Sequence, residues 1–254
     1  MMEREIFNPS DAVTALWPMD GNLPISGNDV NGLGAKGWHS PRPVFWRLDG
    51  SCLHEPVERY FHRRYKDNTR IMKSRKFREV TDAIPDSELA PNKDERQPGD
   101  WAVLVKDAAL RFKADSVGIC ESRPEWTYED RPQPKGKWAV VMAFAHDYHN
   151  IKKAPDDNAY IEVMDQYGRG GNAAKYLANW IKERGYVAEA KTGPNTEDVL
   201  MIPAAIAAGL GELGKHGSII NRKHGSSFRL SMVTTDLPLE PDKPDVFGAD
   251  QFCK

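Results

Sequence analysis

Apolar residues recur at regular spacing in the C-terminal part of the chain. Between Trp101 and Lys113 they occupy positions 101, 104, 105, 108, 109 and 112, the pattern of an amphipathic helix. The near-continuous apolar run KWAVVMAFAH at 137–146 predicts a buried strand. The other predicted elements are helices at 172–184 and from Pro203, and strands at 116–120, 186–191 and 229–239. This order predicts an α+β (α/β layered) domain over residues 101–254.

The first hundred residues predict no such order. Pro, Gly and Asn interrupt residues 8–43, and residues 61–80 are strongly basic. For that basic run a solvated helix or loop face is favoured over a specific anion site. Residues 85–100 are polar and rich in turn formers, which predicts a linker. We therefore predict that residues 1–100 form an irregular N-terminal region.

A glycine-rich motif, Gly209-x-Gly211-x-x-Gly214, raises the question of a dinucleotide-binding loop. Such a loop requires a strand that runs directly into the glycines and a helix that follows them. Here an Ala-rich segment that begins at Pro203 predicts a helix before the motif, with Gly209 as its C-terminal cap. A dinucleotide site is therefore disfavoured. The glycines allow close approach of the backbone to a ligand or to another part of the chain, and both interpretations stay open.

Charge and composition exclude several classes of function. The net charge of −2 and the pI near 6.4 carry no electrostatic signature of nucleic-acid binding. The charged N-terminus does not resemble a signal peptide, and no apolar stretch is long enough to span a membrane. We therefore expect a cytoplasmic protein with neither a nucleic-acid nor a membrane partner. Three widely spaced cysteines argue against a disulfide framework.

Two histidines, His146 and His149, lie three residues apart after the predicted strand 137–146. This spacing allows a metal site. Apart from Asp147, however, no acidic or cysteine partner at fitting spacing accompanies them. Loop histidines at a strand end are the favoured interpretation.

Several segments together resemble the corrinoid-dependent reductive dehalogenases. They include AGLGELGKHG at 208–217, the stretch SIINRKHGSSFRLSMVTTDLPLEPDKPDVFG that follows, and the closing DQFC. Supporting stretches are ADSVGICESRPEWTYED, KWAVVMAFAHDYHNIKKAP and DNAYIEVMDQYGRGGNAAKYLANWIKERGYVA. The resemblance covers residues 101–254. A weaker similarity extends to epoxyqueuosine reductases.

The resemblance implies a nitroreductase-like core that binds cobalamin with its lower base detached, so that no protein group ligates cobalt from below. It predicts that Gly209, Gly211, Gly214 and Ser218 contact the cofactor through the backbone. Asn195 and Thr196 match a polar position near the halogen site, and we include them among the predicted cofactor-binding residues.

A proton donor is also implied by the resemblance. Tyr167, in DQYGRGG, matches the family's catalytic tyrosine, which precedes the helix ending in ERGY, and Tyr160 is the second choice. Arg229, in SSFRL, matches the basic residue that supports the phenolate. A guanidinium close to a phenol lowers its pKa towards useful acidity. The stretch QYGRGGN, which contains Tyr167, departs from the family's usual residues after the tyrosine.

Iron–sulfur chemistry enters through Cys253, which matches the family's first cluster cysteine. A full-length member of the family carries two 4Fe-4S clusters. A cubane cluster needs four thiolates, so this chain by itself does not support one. We therefore expect an external electron donor of the ferredoxin, flavodoxin or reductase type.

These observations predict reductive dehalogenation of a small organohalide, with Tyr167 as proton donor. One alternative is a corrinoid-binding module without turnover. The other is an enzyme similar to epoxyqueuosine reductase, which acts on a modified tRNA base. That alternative is disfavoured because an aspartate is the proton donor in that family and because a basic nucleic-acid surface is absent from the sequence. Chlorinated aromatics, chlorinated alkenes and brominated phenols all remain open as substrates.

Overall fold

A computed structural model describes residues 40–44, 47–51, 56, 66, 68–193 and 198–249. Within these residues the helices are α1 (Thr69–Ser74), α2 (Phe77–Asp82), α3 (Pro98–Arg111), α4 (Tyr148–Ile151), α5 (Asp157–Lys182) and α6 (Met201–Ala207). The strands are β1 (Ser116–Glu121), β2 (Trp138–Ala145), β3 (Ala188–Lys191), β4 (Glu212–Leu213), β5 (Ile219–Ile220) and β6 (Phe228–Thr235). A 3₁₀ turn covers Pro124–Trp126.

Four strands form an antiparallel sheet in the order β1-β2-β6-β3, while β4 and β5 form a separate hairpin. The apolar run predicted as a buried strand is β2, and it lies between β1 and β6. Its register pairs Val140 with Val233. Helices on an antiparallel sheet define an α+β arrangement, so the predicted fold class is confirmed.

Each face of the sheet carries its own apolar layer, because successive side chains of a strand point in opposite directions. Val140, Met142 and Phe144 of β2 pack in the larger core with α3 and α5. Ala139, Val141 and Ala143 pack on the other face, against α6. The domain therefore has three layers, with the sheet in the middle.

The helix predicted at 172–184 is longer than expected, because α5 begins at Asp157 and has 26 residues. Asp156 caps its N-terminus and accepts a hydrogen bond from the backbone N of Asn158 at 2.9 Å. Glycines and polar residues in the first half of α5 interrupt the apolar pattern, and glycine has a low intrinsic helix propensity, so the sequence did not predict a helix there. Tyr167 therefore lies inside this helix rather than before it, which corrects the prediction.

The predicted linker at 85–100 also needs correction. Residues 98–100 form the first turn of α3, with Pro98 at its start. The segment before them packs on the C-terminal end of α5: Asn179 Nδ2 donates to Pro85 O at 2.7 Å, and Tyr186 OH donates to Asp94 O at 3.0 Å. Hydrogen bonds to the domain therefore hold this segment in place.

Part of the basic run forms α1 and α2, which pack on α5. Ile71 and Thr81 are buried at this contact. Asn68 caps α1 through its side-chain oxygen and donates from its amide nitrogen to Asp157 at 2.6 Å. The predicted boundary near residue 100 stays a prediction, although these two helices are attached to the domain that follows it.

Candidate active site

A cleft of about 230 Å³ lies where β6 begins, between α5 and the segment that enters α6. Its walls are mainly aromatic and aliphatic, and one cationic side chain reaches it. The lining residues are Tyr128, Tyr167, Gly193, Val199, Met201, Ile202, Ser218, Ile219, Ser226, Phe228, Arg229 and Leu230. The cleft therefore combines two phenols, two serine hydroxyls and one guanidinium with apolar walls.

Tyr167 and Arg229, predicted as proton donor and supporting cation, meet in this cleft. The Cζ atom of Arg229 lies 5.0 Å from the centroid of the Tyr167 ring, within the range of a cation–π contact. Tyr167 projects from α5, and Arg229 is the second residue of β6, where it pairs with Phe144 of β2. The fold therefore joins two residues that lie 62 positions apart in the chain.

Arg229 has hydrogen-bonding capacity that the described part of the chain does not use. Its Nε atom is buried and finds no hydrogen-bond partner there. A buried donor without a partner costs free energy unless a ligand, water or another group accepts from it. This arrangement suits a cation that acts on a neighbouring phenolate or on a ligand.

A buried acid–base pair lies behind Arg229. His146 Nδ1 and Glu162 Oε1 are 3.7 Å apart, and both side chains are almost fully buried. Burial lowers the pKa of His146, the positive charge of Arg229 lowers it further, and Glu162 partly opposes both effects. His146 is therefore held in its neutral form. The non-metal interpretation of the two histidines stays a prediction.

The wall that leads into α6 is held by another buried cation. Burial by itself would lower the pKa of Lys191, but its hydrogen bond to Asp198 and the charges of Asp198 and Glu189 raise it overall. Lys191 ends β3, and Asp198 precedes Val199 of the cleft wall. The ion pair therefore attaches this wall to the sheet.

Tyr128 is a second tyrosine of the cleft that sequence reasoning missed. Burial raises the pKa of its phenol, and Arg131 partly opposes the shift. An isolated bridge between Thr127 and Val199 brings it to the cleft wall. The local sequence WTYED carries no signal for this position, because the contact depends on a segment about seventy residues further along.

The predicted glycines lie against the chain itself. Gly209 has φ 75°, and a Cβ atom there would lie 2.5 Å from the carbonyl oxygen of Lys243. A Cβ at Gly211 would meet the Ile220 carbonyl, and one at Gly214 would meet the His216 ring. Helix α6 precedes this motif, as predicted, so the order is helix into loop. These positions need glycine for packing, and their contact with a corrin stays a prediction.

Ser218, also predicted to contact the cofactor, lines the cleft with Tyr167 and Arg229. Tyr160, the second-choice proton donor, lies seven residues before Tyr167 in α5 and does not belong to the cleft wall. Three other predicted residues, Asn195, Thr196 and Cys253, lie outside the described residues.

The described residues contain neither a membrane-spanning helix nor a metal-binding group of side chains. None of the described helices combines the length and the apolar character that a bilayer span requires. Within the same residues, His, Cys, Asp and Glu side chains form no group of three or more that could hold a metal ion. Cys120 is a free, buried thiol, and burial raises its pKa to about 12.

Known proteins similar to this chain are reductive dehalogenases, and these enzymes are oxidoreductases. A stretch of 137 residues is 34% identical to the tetrachloroethene reductive dehalogenase of Dehalobacter restrictus, and covers 54% of this chain and 24% of that protein. A shorter stretch of 94 residues is 32% identical to epoxyqueuosine reductase of Escherichia coli, and covers 34% of this chain and 25% of that protein. No family model matches the chain.

Solved structures agree with the sequence relatives. The catabolic reductive dehalogenase NpRdhA superimposes with a TM-score of 0.66 and 27% identity, over 72% of this chain and 28% of that one. The same enzyme is also known in complex with 3-bromo-4-hydroxybenzoic acid. The predicted resemblance to reductive dehalogenases and the weaker one to epoxyqueuosine reductases are thus confirmed. The chain spans about a quarter of the length of these relatives.

Proposed function

We propose that this chain forms the substrate-side part of a cobalamin-dependent reductive dehalogenase, with Tyr167 as proton donor and Arg229 as its supporting cation. The observation that carries the proposal is the contact between these two side chains in one cleft. The similarity to reductive dehalogenases supports the reaction class. Overall, the carbon–halogen bond takes up two electrons and one proton, and yields a carbon–hydrogen bond and a halide ion.

The size of the cleft supports a small substrate. At about 230 Å³ it is smaller than the pockets of roughly 300–1,000 Å³ that hold drug-sized ligands. One halogenated ring or a haloalkene fits this space. The aromatic and aliphatic walls provide dispersion contacts for a halogenated carbon skeleton.

At about 230 Å³ the cleft is too small to enclose cobalamin, so the cofactor would lie outside it, against the residues at its rim. Ser218 lines the cleft, and at the neighbouring Gly217 a Cβ atom would meet no atom within 4 Å, so the backbone is accessible there. We propose that residues 217 and 218 face the cofactor. When bound, cobalamin supplies the electrons at cobalt.

Tyr167 and Arg229 then have complementary roles. The phenol donates its proton to the carbon that loses the halogen, and the guanidinium stabilises the phenolate that remains. The guanidinium lies 5.0 Å from the centroid of the Tyr167 ring, so a phenolate formed there would have a cation as its neighbour. Electrons come from an external donor, and the substrate is a small organohalide.

Anaerobic titration of the 254-residue chain with hydroxocobalamin tests the cofactor. Stoichiometric binding with a base-off visible spectrum is expected. A chemical reductant and a halogenated phenol then test turnover. Binding without turnover would favour a corrinoid-binding module, and no binding by the folded chain would contradict the cofactor assignment.

Tyr167→Phe tests the proton donor in the same assay. Because general acid catalysis contributes about 10²–10⁴-fold, kcat should fall by that factor while cobalamin binding is unchanged. Tyr176→Phe is the matched control, since Tyr176 is an exposed tyrosine of the same helix outside the cleft. Full dehalogenation by Tyr167→Phe would refute the assignment.

A further inference from the structure

Phe77 lies in the part of the chain that resembles no known motif, yet it packs directly on Tyr167. The two rings are stacked, with centroids 6.2 Å apart and planes inclined by 20°. This separation is typical of attractive aromatic pairs in proteins. Tyr167 therefore contacts two side chains from distant parts of the sequence, the ring of Phe77 and the guanidinium of Arg229.

The contact is made possible by glycines in α5. A Cβ atom at Gly168 would lie 2.9 Å from the Cβ of Phe77, and one at Gly171 would lie 3.0 Å from Cγ2 of Thr81. Carbon atoms attract each other best at about 3.5–4.0 Å, so a side chain at Gly168 would push α2 away. Both glycines belong to QYGRGGN, the stretch in which this chain departs from the dehalogenase pattern. The stretch that departs from the dehalogenase pattern is thus the part of α5 on which α2 packs.

Polar contacts fix α2 at this position. Thr81 is buried, and its hydroxyl donates to the side-chain oxygen of Asn172 at 2.7 Å. The preceding helix is attached by the buried Ile71 and by the hydrogen bond from Asn68 to Asp157. Phe77 is therefore presented by a helix pair with contacts along several turns of α5.

We propose that Phe77 is a positioning residue, which fixes the orientation of the Tyr167 ring beside Arg229. The inference rests on the proposed function of Tyr167 as proton donor. A phenol donates its proton efficiently only when its oxygen is held at the reacting carbon, and small displacements of a catalytic group are costly. Stacking on Phe77 limits rotation of the Tyr167 ring, and Gly168 permits that stacking.

Three substitutions separate positioning from general packing. Phe77→Leu keeps an apolar side chain but removes the ring plane, whereas Phe77→Tyr keeps the ring. Phe112→Leu is the matched control, because Phe112 pairs with Tyr176 of the same helix at 5.7 Å, outside the cleft. If loss of any aromatic ring packed on α5 disturbed Tyr167, Phe77→Leu and Phe112→Leu would change its resonance and kcat equally.

The first measurement requires no cofactor. The chain is labelled with 3-fluorotyrosine, and the ¹⁹F resonance of Tyr167 is assigned as the one missing in Tyr167→Phe. Phe77→Leu is expected to shift this resonance, because the ring current of Phe77 is lost. Phe112→Leu should leave it close to the wild-type position.

The second measurement is dehalogenation by the cobalamin-loaded protein. Phe77→Leu should lower kcat about tenfold, as expected for a displaced catalytic group, and leave KM nearly unchanged. Phe77→Tyr should restore most of kcat. An unchanged Tyr167 resonance in Phe77→Leu, or a shifted resonance with unchanged kcat, would overturn the inference. If the wild type and every variant lack activity, the proposed function itself fails, and the inference fails with it.

Discussion

The two halves of α5 pack on the rest of the molecule by different means. In the C-terminal half, Leu177 and Ile181 are fully buried in the core with Trp101 of α3. In the N-terminal half, the buried positions include Glu162 and glycines, and the neighbouring helix α2 approaches the backbone closely. One half thus provides stability through apolar burial, while the other holds the groups that shape the cleft.

Hydrogen bonds of a buried carboxylate add to the apolar contacts of the N-terminal half. Glu162 Oε1 accepts from the backbone N of Asp147 and from Gln166 Nε2, both at 2.8 Å. Gln166 Oε1 accepts from Arg169, whose guanidinium also pairs with Asp115 at 2.8 Å. This chain of contacts connects α5 to the ends of β1 and β2 next to the cleft. The position of the N-terminal half of α5 beside the cleft therefore depends on polar partners, which are costly to lose.

The largest effect on stability is expected in the apolar half. Leu177→Ala should lower the free energy of unfolding by about 2–5 kcal/mol, because it removes buried methyl groups and leaves a cavity. Chemical denaturation followed by circular dichroism measures this change. Leu110→Ala, at an exposed position of α3, should change stability by less than about 0.5 kcal/mol. Equal effects of the two substitutions would contradict the assignment of the core.

A smaller effect is expected from Glu162→Ala in the polar half. It removes the buried carboxylate that accepts from the backbone N of Asp147 and from the amide of Gln166, and a hydrogen bond to a charged group contributes about 1.5–3 kcal/mol. The control is Glu183→Ala, since Glu183 is exposed and its carboxylate accepts from the Ser87 hydroxyl near the surface. If Glu162→Ala left the free energy of unfolding unchanged, the hydrogen bonds of Glu162 would contribute nothing to stability.

The contact between Gly168 and Phe77 predicts that the effect of Gly168→Ala on stability changes sign when the Phe77 side chain is removed. Gly168→Ala should destabilise the wild type, because crowding against Phe77 costs about 1–3 kcal/mol and exceeds the helix-propensity gain of about 1 kcal/mol. In a Phe77→Gly background the crowded Cβ atom is absent, so the same substitution should stabilise. A thermodynamic double-mutant cycle measures both steps. Additive effects would mean that the two residues are not in contact.

The smallest expected effect is the pH dependence caused by His146. Burial and the charge of Arg229 lower its pKa in the folded state, whereas Glu162 opposes them. The unfolded chain then binds a proton near pH 6.5, roughly the ordinary value, while the folded chain does not. Stability should therefore fall as the pH falls below about 7, until the folded pKa is reached. His146→Gln should reduce this slope between roughly pH 7 and 5, and an unchanged slope would exclude His146 as its source.

Several features of the fold were predictable because their signals are local. The spacing of apolar residues from Trp101 predicts which face of α3 is buried, and the continuous apolar run predicts that β2 is buried on both faces. The helix before Gly209 was predicted from Pro203 and its alanines, and it is α6. Tyr167 and Arg229 were predicted through resemblance alone, and the structure brings them into one cleft.

The N-terminal half of α5 was not predictable in the same way. Its sequence, from Asp157 to Gly171, is polar and rich in glycine, a composition that local propensity assigns to loops. Tertiary contacts stabilise the helix here. Phe77 and Thr81 approach the backbone so closely that only glycine fits, and hydrogen bonds offset the cost of burying the Glu162 carboxylate. Neither partner is visible from the residues of the helix itself.

The sequence by itself determined which segments are amphipathic, where the chain turns, and which protein family it resembles. Only the tertiary structure decided that Phe77 lies on Tyr167, that His146 lies beside Glu162, and that Tyr128 shares the cleft. The physical reason is the range of the two kinds of information. Periodicity describes the face that one element presents, whereas these contacts join residues far apart in the chain and depend on how the layers pack.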